Sequence, residues 1–219
     1  MYSLITSPSV SVVFHRFPSV SQDEFPDQTR VGVAAVRYYK EGRSDFPWPS
    51  EYIRENICDV VVNRLASEGK TARRRAAEIN ARLRAEVAIN ELGPILSPLV
   101  DSPEVGVSGT RIMPDSGTYR ADYYEVTGRI DVVTNVQIES YPPGTNSIVD
   151  LLCSANSNGL GDGPFEVLVD YKGSRRSAVT DSEWRLYEWQ LQTYAWLRQQ
   201  QPDSLPVRAG LIVFINELL

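Results

Sequence analysis

The chain has 219 residues, of which 42% are hydrophobic and 23% charged, and its formal net charge is −6. These values are typical of a soluble globular domain, and the negative charge argues against a protein that coats duplex nucleic acid through a basic stripe. No apolar run approaches the roughly 20 residues that a membrane span needs. The N-terminus lacks the pattern of a secretory signal. We therefore expect a cytoplasmic protein without a membrane partner.

The scarcity of cysteine and histidine restricts the chemistry. Cys58 and Cys153 are the two cysteines, and His15 is the single histidine. Two cysteines cannot hold an iron–sulfur cluster or a four-cysteine zinc site. One histidine nearly excludes histidine-dependent serine or cysteine nucleophiles and multi-histidine metal sites. A metal in this chain should be hard and oxygen-liganded, such as magnesium or manganese.

The N-terminal part predicts an extension followed by helices. Residues 1–50 mix serine, proline and aromatic residues and predict extended or irregular structure packed on the core, with a strand near residues 9–15. Ser50 is suited to cap a helix that continues to about Leu65. A second helix is predicted over residues 70–92 and should end at Gly93-Pro94.

The second helix is predicted to have one apolar and one basic face. Its inward residues would be Ala76, Ile79, Leu83 and Val87. Its outer face would carry Arg73, Arg74, Arg75, Arg82 and Arg84. Such a run is typical of a solvated helix face, and a patch that contacts phosphate is the alternative.

Strands dominate the remainder. We predict strands up to about residue 113, over 119–135, over 165–172 and over 207–216, and a helix from Ser182 to about residue 200. The last strand is apolar on both faces and should be central. Residues 138–164 are rich in Pro, Gly, Ser and Asn and predict an inserted loop. The resulting order is helix–strand–strand–strand–helix–strand, an α/β layer with helices on a mixed sheet, formed by residues 51–219.

Three short motifs carry the polar residues that chemistry would need. Gly128-Arg129-Ile130-Asp131 ends a strand with one polar and one apolar face. Its polar face also carries Tyr123, Glu125 and Thr127, and its predicted core face carries Tyr124, Val126, Ile130 and Val132. On the next strand Asp170 and Lys172 share one face, because side chains alternate along a strand. Lysine occurs in this chain at three positions, and its compact charge suits chemistry at a phosphate. Gln190 and Tyr194 share a face of the following helix, where the buried amide needs a polar partner.

This arrangement resembles the PD-(D/E)XK nuclease superfamily and, within it, the RecB-like exonucleases. The resemblance covers about residues 104–216. It rests on the order of the three motifs, namely the GRID sequence ending in Asp131, the sequence Asp170-Tyr171-Lys172, and Gln190 with Tyr194. It implies a restriction-endonuclease-like core of α-β-β-β-α-β order.

The resemblance also implies roles for these residues. Asp131, Asp170 and the backbone carbonyl of Tyr171 would bind a magnesium or manganese ion. Lys172 would orient or activate the attacking water and stabilise charge on the phosphate. The two residues of the helix motif would line the cleft. The implied substrate is DNA, in particular single-stranded ends, in repair, recombination or defence, with a helicase or another repair or defence protein as a candidate partner.

The sequence departs from the RecB-like pattern in the helix before the strands. That helix usually carries a histidine, which residues 66–71 lack. Glu68, Glu86 and Glu91 are candidates for a helix-borne ligand in its place.

Other interpretations of the same residues stay open. Asp170 and Lys172 also suit a structural ion pair, and Glu166 suits either a further ligand or a solvated strand entry. The tryptophans Trp184, Trp189 and Trp196 are predicted to pack rather than to stack on bases. A nuclease-fold module without catalysis, which binds single-stranded DNA or a protein partner, is the second hypothesis. A sugar hydrolase using Glu166 and Asp170 ranks last, because it gives Lys172 no role.

Overall fold

The computed structural model describes residues 4–6, 11–14, 28–43, 45–67, 69, 75–112, 123–155, 160, 162–172 and 176–217. The strands are β1 (Leu4–Thr6), β2 (Ser11–Phe14), β3 (Val100–Ile112), β4 (Tyr123–Thr134), β5 (Glu166–Lys172) and β6 (Val207–Phe214). The helices are α1 (Gln28–Lys40), α2 (Ser50–Ile53), α3 (Asp59–Ser67), α4 (Arg75–Leu96), α5 (Ser147–Ala155) and α6 (Ser182–Arg198). A π-helical turn, Arg54–Cys58, joins α2 to α3.

The protein has a mixed α/β architecture with one mixed sheet. The strand order is β1-β2-β6-β5-β4-β3. The four long strands lie at one end of this order, where β6 and β5 are parallel and β5, β4 and β3 are antiparallel. The short β2 runs parallel to β6 on its other side. The prediction that the last strand is central is thereby confirmed.

Helices cover both faces of the sheet, and the alternation along β5 separates two cores. Phe165, Val167 and Val169 pack with residues of α1, α4 and α5. Leu168, from the opposite face, packs with residues of α6. Since Asp170 follows Leu168 with the same alternation, its carboxylate is directed to the α6 side.

Two predicted irregular regions contain helices. Helix α1 lies within residues 1–50, where extended structure was predicted, and its Ala35 and Val36 are buried. Helix α5 lies within the predicted loop 138–164 and buries Ile148, Val149 and Leu152. The side chain of Asn146 accepts hydrogen bonds from the backbone N–H groups of Ile148 and Val149 at 3.0 and 3.2 Å, which caps the start of α5. Turn-forming residues around both helices concealed their short apolar stretches.

The predicted faces of the second helix are wrong at most positions, although Val87 packs against the core as predicted. The buried apolar residues of α4 are three alanines and three larger residues, namely Ala81, Ala85, Ala88, Ile89, Leu92 and Leu96. The small alanine side chains allow α4 to approach α1 closely, while Ile79 and Leu83 remain 50% exposed. Arg84 is buried, and Pro94 lies inside the last turns of the helix rather than after it. Arg73 and Arg74 lie outside the described residues, as does the side chain of Arg75.

A buried ion pair connects β5 to the end of α6. The guanidinium of Arg198 donates to both carboxylate oxygens of Glu166 at 2.9 and 2.8 Å. The same carboxylate accepts from the backbone N–H of Leu205 at 3.1 Å. Glu166 is therefore neither a solvated strand entry nor a free metal ligand, because Arg198 and Leu205 engage its oxygens.

The Glu166–Arg198 pair yields a stability prediction. Arg198→Met leaves a buried carboxylate without its counter-ion and should lower the free energy of unfolding by about 3–5 kcal/mol. The double variant Glu166→Met/Arg198→Met should recover most of this loss, because it removes both charges. Urea unfolding of the three proteins measures the difference. A single variant within about 1 kcal/mol of the wild type would contradict the role given to the pair.

Candidate active site

The strands β4 and β5 separate at the position of Asp131. Their paired residues are Val132 with Val169 and Val133 with Leu168. Beyond these pairs the backbone N–H of Tyr171 donates to Asp131 Oδ2 at 2.8 Å. The Asp131 carboxylate thus accepts a hydrogen bond from a β5 backbone N–H that would otherwise pair with the backbone of β4. The Asp131 carboxylate therefore lies between the two strands.

The strand β3, which pairs with β4 on its other side, is distorted across from Asp131. Glu104 of β3 has a φ of 53°, in the left-handed region that residues other than glycine rarely adopt. The register of β3 and β4 pairs Pro103 with Val132 and Val105 with Ile130, which places Glu104 across from Asp131. Strained backbone of this kind concentrates at functional sites.

The distortion corrects the predicted faces of β4. Ile130 packs on the α6 side, whereas Val132 packs on the side of α1, α4 and α5. These two residues were predicted to share one core face with Tyr124 and Val126. The alternation breaks between them, at Asp131, because the strand bends away from β5 there.

The motifs on β5 and α6 form one hydrogen-bonded network. Lys172 Nζ lies 2.6 Å from Asp170 Oδ2 and donates to Gln190 Oε1 at 2.7 Å. Gln190 Nε2 donates to the hydroxyl of Tyr194 at 3.0 Å and lies 3.4 Å from Asp170 Oδ1. The ammonium is also 5.1 Å from the centre of the Tyr187 ring. The predicted polar partner of Gln190 is therefore present, and so is the ion pair of Asp170 with Lys172.

Gly128 allows α6 to approach β4 at this network. A Cβ atom at residue 128 would lie 2.7 Å from Cε1 of the Tyr194 ring, which is too close for an unshifted contact. The glycine of the GRID motif therefore has a steric function, since it seats Tyr194 and, through Tyr194, Gln190.

Burial controls the charges of the two aspartates. It raises the pKa of Asp131 from 3.8 to about 6; the Tyr171 N–H opposes this rise, and the charge of Asp170 adds to it. Burial also raises the pKa of Asp170, against the effect of the Lys172 ammonium. Two carboxylates that are partly removed from water and repel each other favour a nearby cation.

The predicted metal ligands are compatible with a hard cation in their chemistry. The charge of Asp170 raises the pKa of Asp131, and Asp170 Oδ2 is buried 2.6 Å from the Lys172 ammonium. Carboxylate and carbonyl oxygens are the donors that magnesium and manganese prefer. The backbone of Tyr171 adjoins both aspartates, and its ring is buried on the side of α1 and α4.

Among the described residues no third acidic ligand joins these two aspartates. Within the described ranges no three side chains of His, Cys, Asp or Glu form a metal-binding group. Glu86 accepts a hydrogen bond from Ser50 Oγ. Ser50 is the first residue of α2 and does not act as the predicted cap, because Pro49 occupies the N-cap position. Glu91 is exposed, and Glu68 and His15 lie outside the described residues. The predicted metal ligands that lie near each other are therefore two carboxylates, Asp131 and Asp170.

The aromatic residues of α6 behave differently from one another. Trp184 is buried and donates to Glu188 at 2.9 Å, as expected of a packing residue. Trp196 packs partly on the α6 core. Trp189 is 63% exposed, so the prediction that it packs is wrong, because it lies on the outward face of the helix.

Sequence reasoning missed two charged residues beside the site. Arg37 of α1 forms an ion pair with Glu104, whose charge also contributes to the raised pKa of Asp131. Neither residue belongs to a motif. The position of Glu104 across from Asp131 follows from the register of β3 and β4. The sequence carries no signal for the left-handed backbone of Glu104.

Comparison with known proteins gave no family for this chain: neither the models of protein families nor the curated proteins contain a match. Among the described residues there is no helix of sufficient length and apolarity to cross a membrane.

The seating of Tyr194 on Gly128 can be tested with a matched glycine. Gly128→Ala should lower the free energy of unfolding by about 1–3 kcal/mol, because the new methyl group collides with the ring. Gly106→Ala is the control, since a Cβ at this residue of β3 meets nothing within 4 Å. It should stay within about 0.5 kcal/mol of the wild type in urea unfolding. Equal losses in both variants would contradict the steric role of Gly128.

The raised pKa of Asp131 predicts a pH-dependent stability. The folded state favours the protonated carboxyl, so this contribution is complete below pH 3.8 and is lost as the pH rises through about 6. Asp131→Asn stays neutral and can still accept the Tyr171 N–H. It should exceed the wild type by about 1–2 kcal/mol at pH 8, and the difference should vanish near pH 4. Denaturant unfolding across this range measures it, with exposed Glu139→Gln as the control. A pH-independent difference would contradict the account.

Proposed function

We propose that this chain is a magnesium- or manganese-dependent nuclease that hydrolyses phosphodiester bonds in DNA. The proposal includes a restriction-endonuclease-like core of the PD-(D/E)XK superfamily, close in its motifs to the RecB-like exonucleases. The observation that carries it is the convergence of three separate motifs: the GRID aspartate meets the backbone of the D-Y-K segment, and the lysine of that segment meets the glutamine of the Q-x-x-x-Y helix. A chance combination of charged residues gives no reason for all three to meet.

Each side chain has a function that agrees with its surroundings. Asp131, Asp170 and the Tyr171 carbonyl would hold the cation, which when bound would screen the phosphate charge and promote ionisation of water. The Lys172 ammonium lies 2.6 Å from Asp170 Oδ2 and donates to Gln190 Oε1 at 2.7 Å. An ammonium has three donors, so one would remain for a phosphate oxygen or for the attacking water.

Gln190 positions the ammonium rather than reacting itself. Its carbonyl oxygen accepts from Lys172, and its amide nitrogen donates to the hydroxyl of Tyr194. These two bonds orient the amide, so the lysine is held against Asp170 in one geometry. Pre-organisation of this kind lowers the reorganisation that a charge-stabilising group needs during reaction.

The proposed substrate is single-stranded DNA ends, which the enzyme would degrade as an exonuclease in repair, recombination or defence. It would act in the cytoplasm, and its candidate partner is a helicase or another repair or defence protein. This part of the proposal is supported by the RecB-like pattern of the motifs. The acidic net charge agrees with an enzyme that contacts nucleic acid in a local cleft rather than over a broad surface.

A second candidate is a nuclease-fold module that binds single-stranded DNA or a protein partner without catalysis. The close ion pair of Lys172 with Asp170 Oδ2 favours it, because the ammonium engages an oxygen that a metal would need. Binding of a labelled single-stranded oligonucleotide together with no cleavage in manganese would support this candidate over the nuclease.

The nuclease proposal predicts the effect of two variants. Asp170→Asn and Lys172→Met should each reduce manganese-dependent cleavage of end-labelled DNA at least about 100-fold, because one weakens the cation site and the other removes charge stabilisation. Both proteins should retain the wild-type circular dichroism spectrum. Glu139→Gln is the matched control, since this exposed carboxylate lies outside the network. Undiminished cleavage by either site variant would refute the assignment.

A further inference from the structure

A small group of charged residues adjoins Asp131 on the α1 side of the sheet. Gly128 and Ile130 contact α6 or its core, so Arg129 between them projects from the opposite face. There Arg129 lies 4.0 Å from Glu104, which also pairs with Arg37 of α1. Two guanidinium groups therefore share one carboxylate.

Both guanidinium groups are accessible from solvent. The side chain of Arg129 is 71% exposed and that of Arg37 is 54% exposed, whereas that of Glu104 is 28% exposed. The contact of Arg129 with Glu104 is long, so the carboxylate constrains it weakly. The group carries a net positive charge, with the negative member beneath the two positive ones.

The position of this group relative to the candidate site is set by β4. Arg129 precedes Asp131 by two residues, which corresponds to about 6.6–6.8 Å along a strand. Further from Asp131, the same face continues with exposed Thr127 and Glu125. The positive charge is therefore confined to the end of the strand that adjoins Asp131.

We propose that Arg37 and Arg129 bind a backbone phosphate of single-stranded DNA next to the phosphate that is cleaved, and that Glu104 is the internal counter-ion which this phosphate replaces. The inference rests on the proposed nuclease function and names the path of its substrate. Guanidinium groups suit this role because their planar donors match phosphate oxygens. Glu104 holds Arg37 in place before DNA binds, and its strained backbone keeps its carboxylate between the two arginines.

The proposal predicts opposite effects of removing the two kinds of charge. Arg129→Ala should raise the dissociation constant for a fluorescent single-stranded oligonucleotide about 5- to 10-fold. It should also lower the slope of the logarithm of the binding constant against the logarithm of the salt concentration by about one, which corresponds to the loss of one phosphate contact. Glu104→Gln should lower the dissociation constant about 2- to 5-fold, because it removes a negative charge that competes with the phosphate. Arg129→Lys should fall between the wild type and Arg129→Ala, since it keeps the charge without the planar donors.

The control is Arg54→Ala. Arg54 is an exposed arginine in the π-helical turn and pairs with Glu51 and Glu55. It should bind the oligonucleotide like the wild type. Fluorescence anisotropy at two salt concentrations gives the constants, and manganese-dependent cleavage is measured in parallel.

The outcomes separate this inference from the proposed function. Unchanged affinity in both Arg129→Ala and Glu104→Gln, with a wild type that binds and cleaves, overturns the phosphate pair and leaves the nuclease assignment standing. A change of the same size in Arg54→Ala also overturns it, because the effect is then one of net charge. A wild type that neither binds nor cleaves single-stranded DNA overturns both.

Discussion

The hydrogen bond from the Tyr171 backbone to the Asp131 carboxylate is the constraint on which the rest of the site depends. It marks the place where β4 leaves β5, so that a gap opens between two strands that are paired one residue earlier. The gap brings Asp131 and Asp170, which come from different strands, close enough that the charge of Asp170 raises the pKa of Asp131. The left-handed backbone of Glu104 lies across from Asp131 and accompanies the same bend. The candidate site therefore lies where the backbone hydrogen bonding between β4 and β5 is interrupted.

Helix α6 completes the site and ties it to the stability of the fold. One face of β5 meets it at both ends: Glu166 binds Arg198 near the end of the helix, and Lys172 binds Gln190 near its middle. The first contact is a buried pair whose partners satisfy each other, which anchors the helix. The second holds the Lys172 ammonium beside Asp170. The same packing therefore serves stability at one end of the strand and orders the candidate site at the other.

The sequence predicted what depends on local pattern. The alternation along residues 165–172 correctly predicted β5. The spacing of Gln190 and Tyr194 correctly predicted that they share a face of α6, where Gln190 finds a polar partner. Sequence reasoning failed where tertiary packing decides, because the alanines of α4 bury a face that the larger Ile79 and Leu83 were expected to occupy. It also failed where a strand bends, since Ile130 and Val132 enter different cores. The roles of Arg37 and Glu104 required the register of β3 and β4, which no short motif encodes.

We propose that Asp131 and Asp170 jointly form a cation site in the gap between β4 and β5. This site can be tested by calorimetric titration with manganese, using the wild type, Asp131→Asn and Asp170→Asn at a pH of about 8, where both carboxyls are more fully ionised. We expect saturable binding in the wild type and at least about tenfold weaker binding in each variant. A wild type that binds no manganese, or variants that bind it as tightly as the wild type, would contradict the claim.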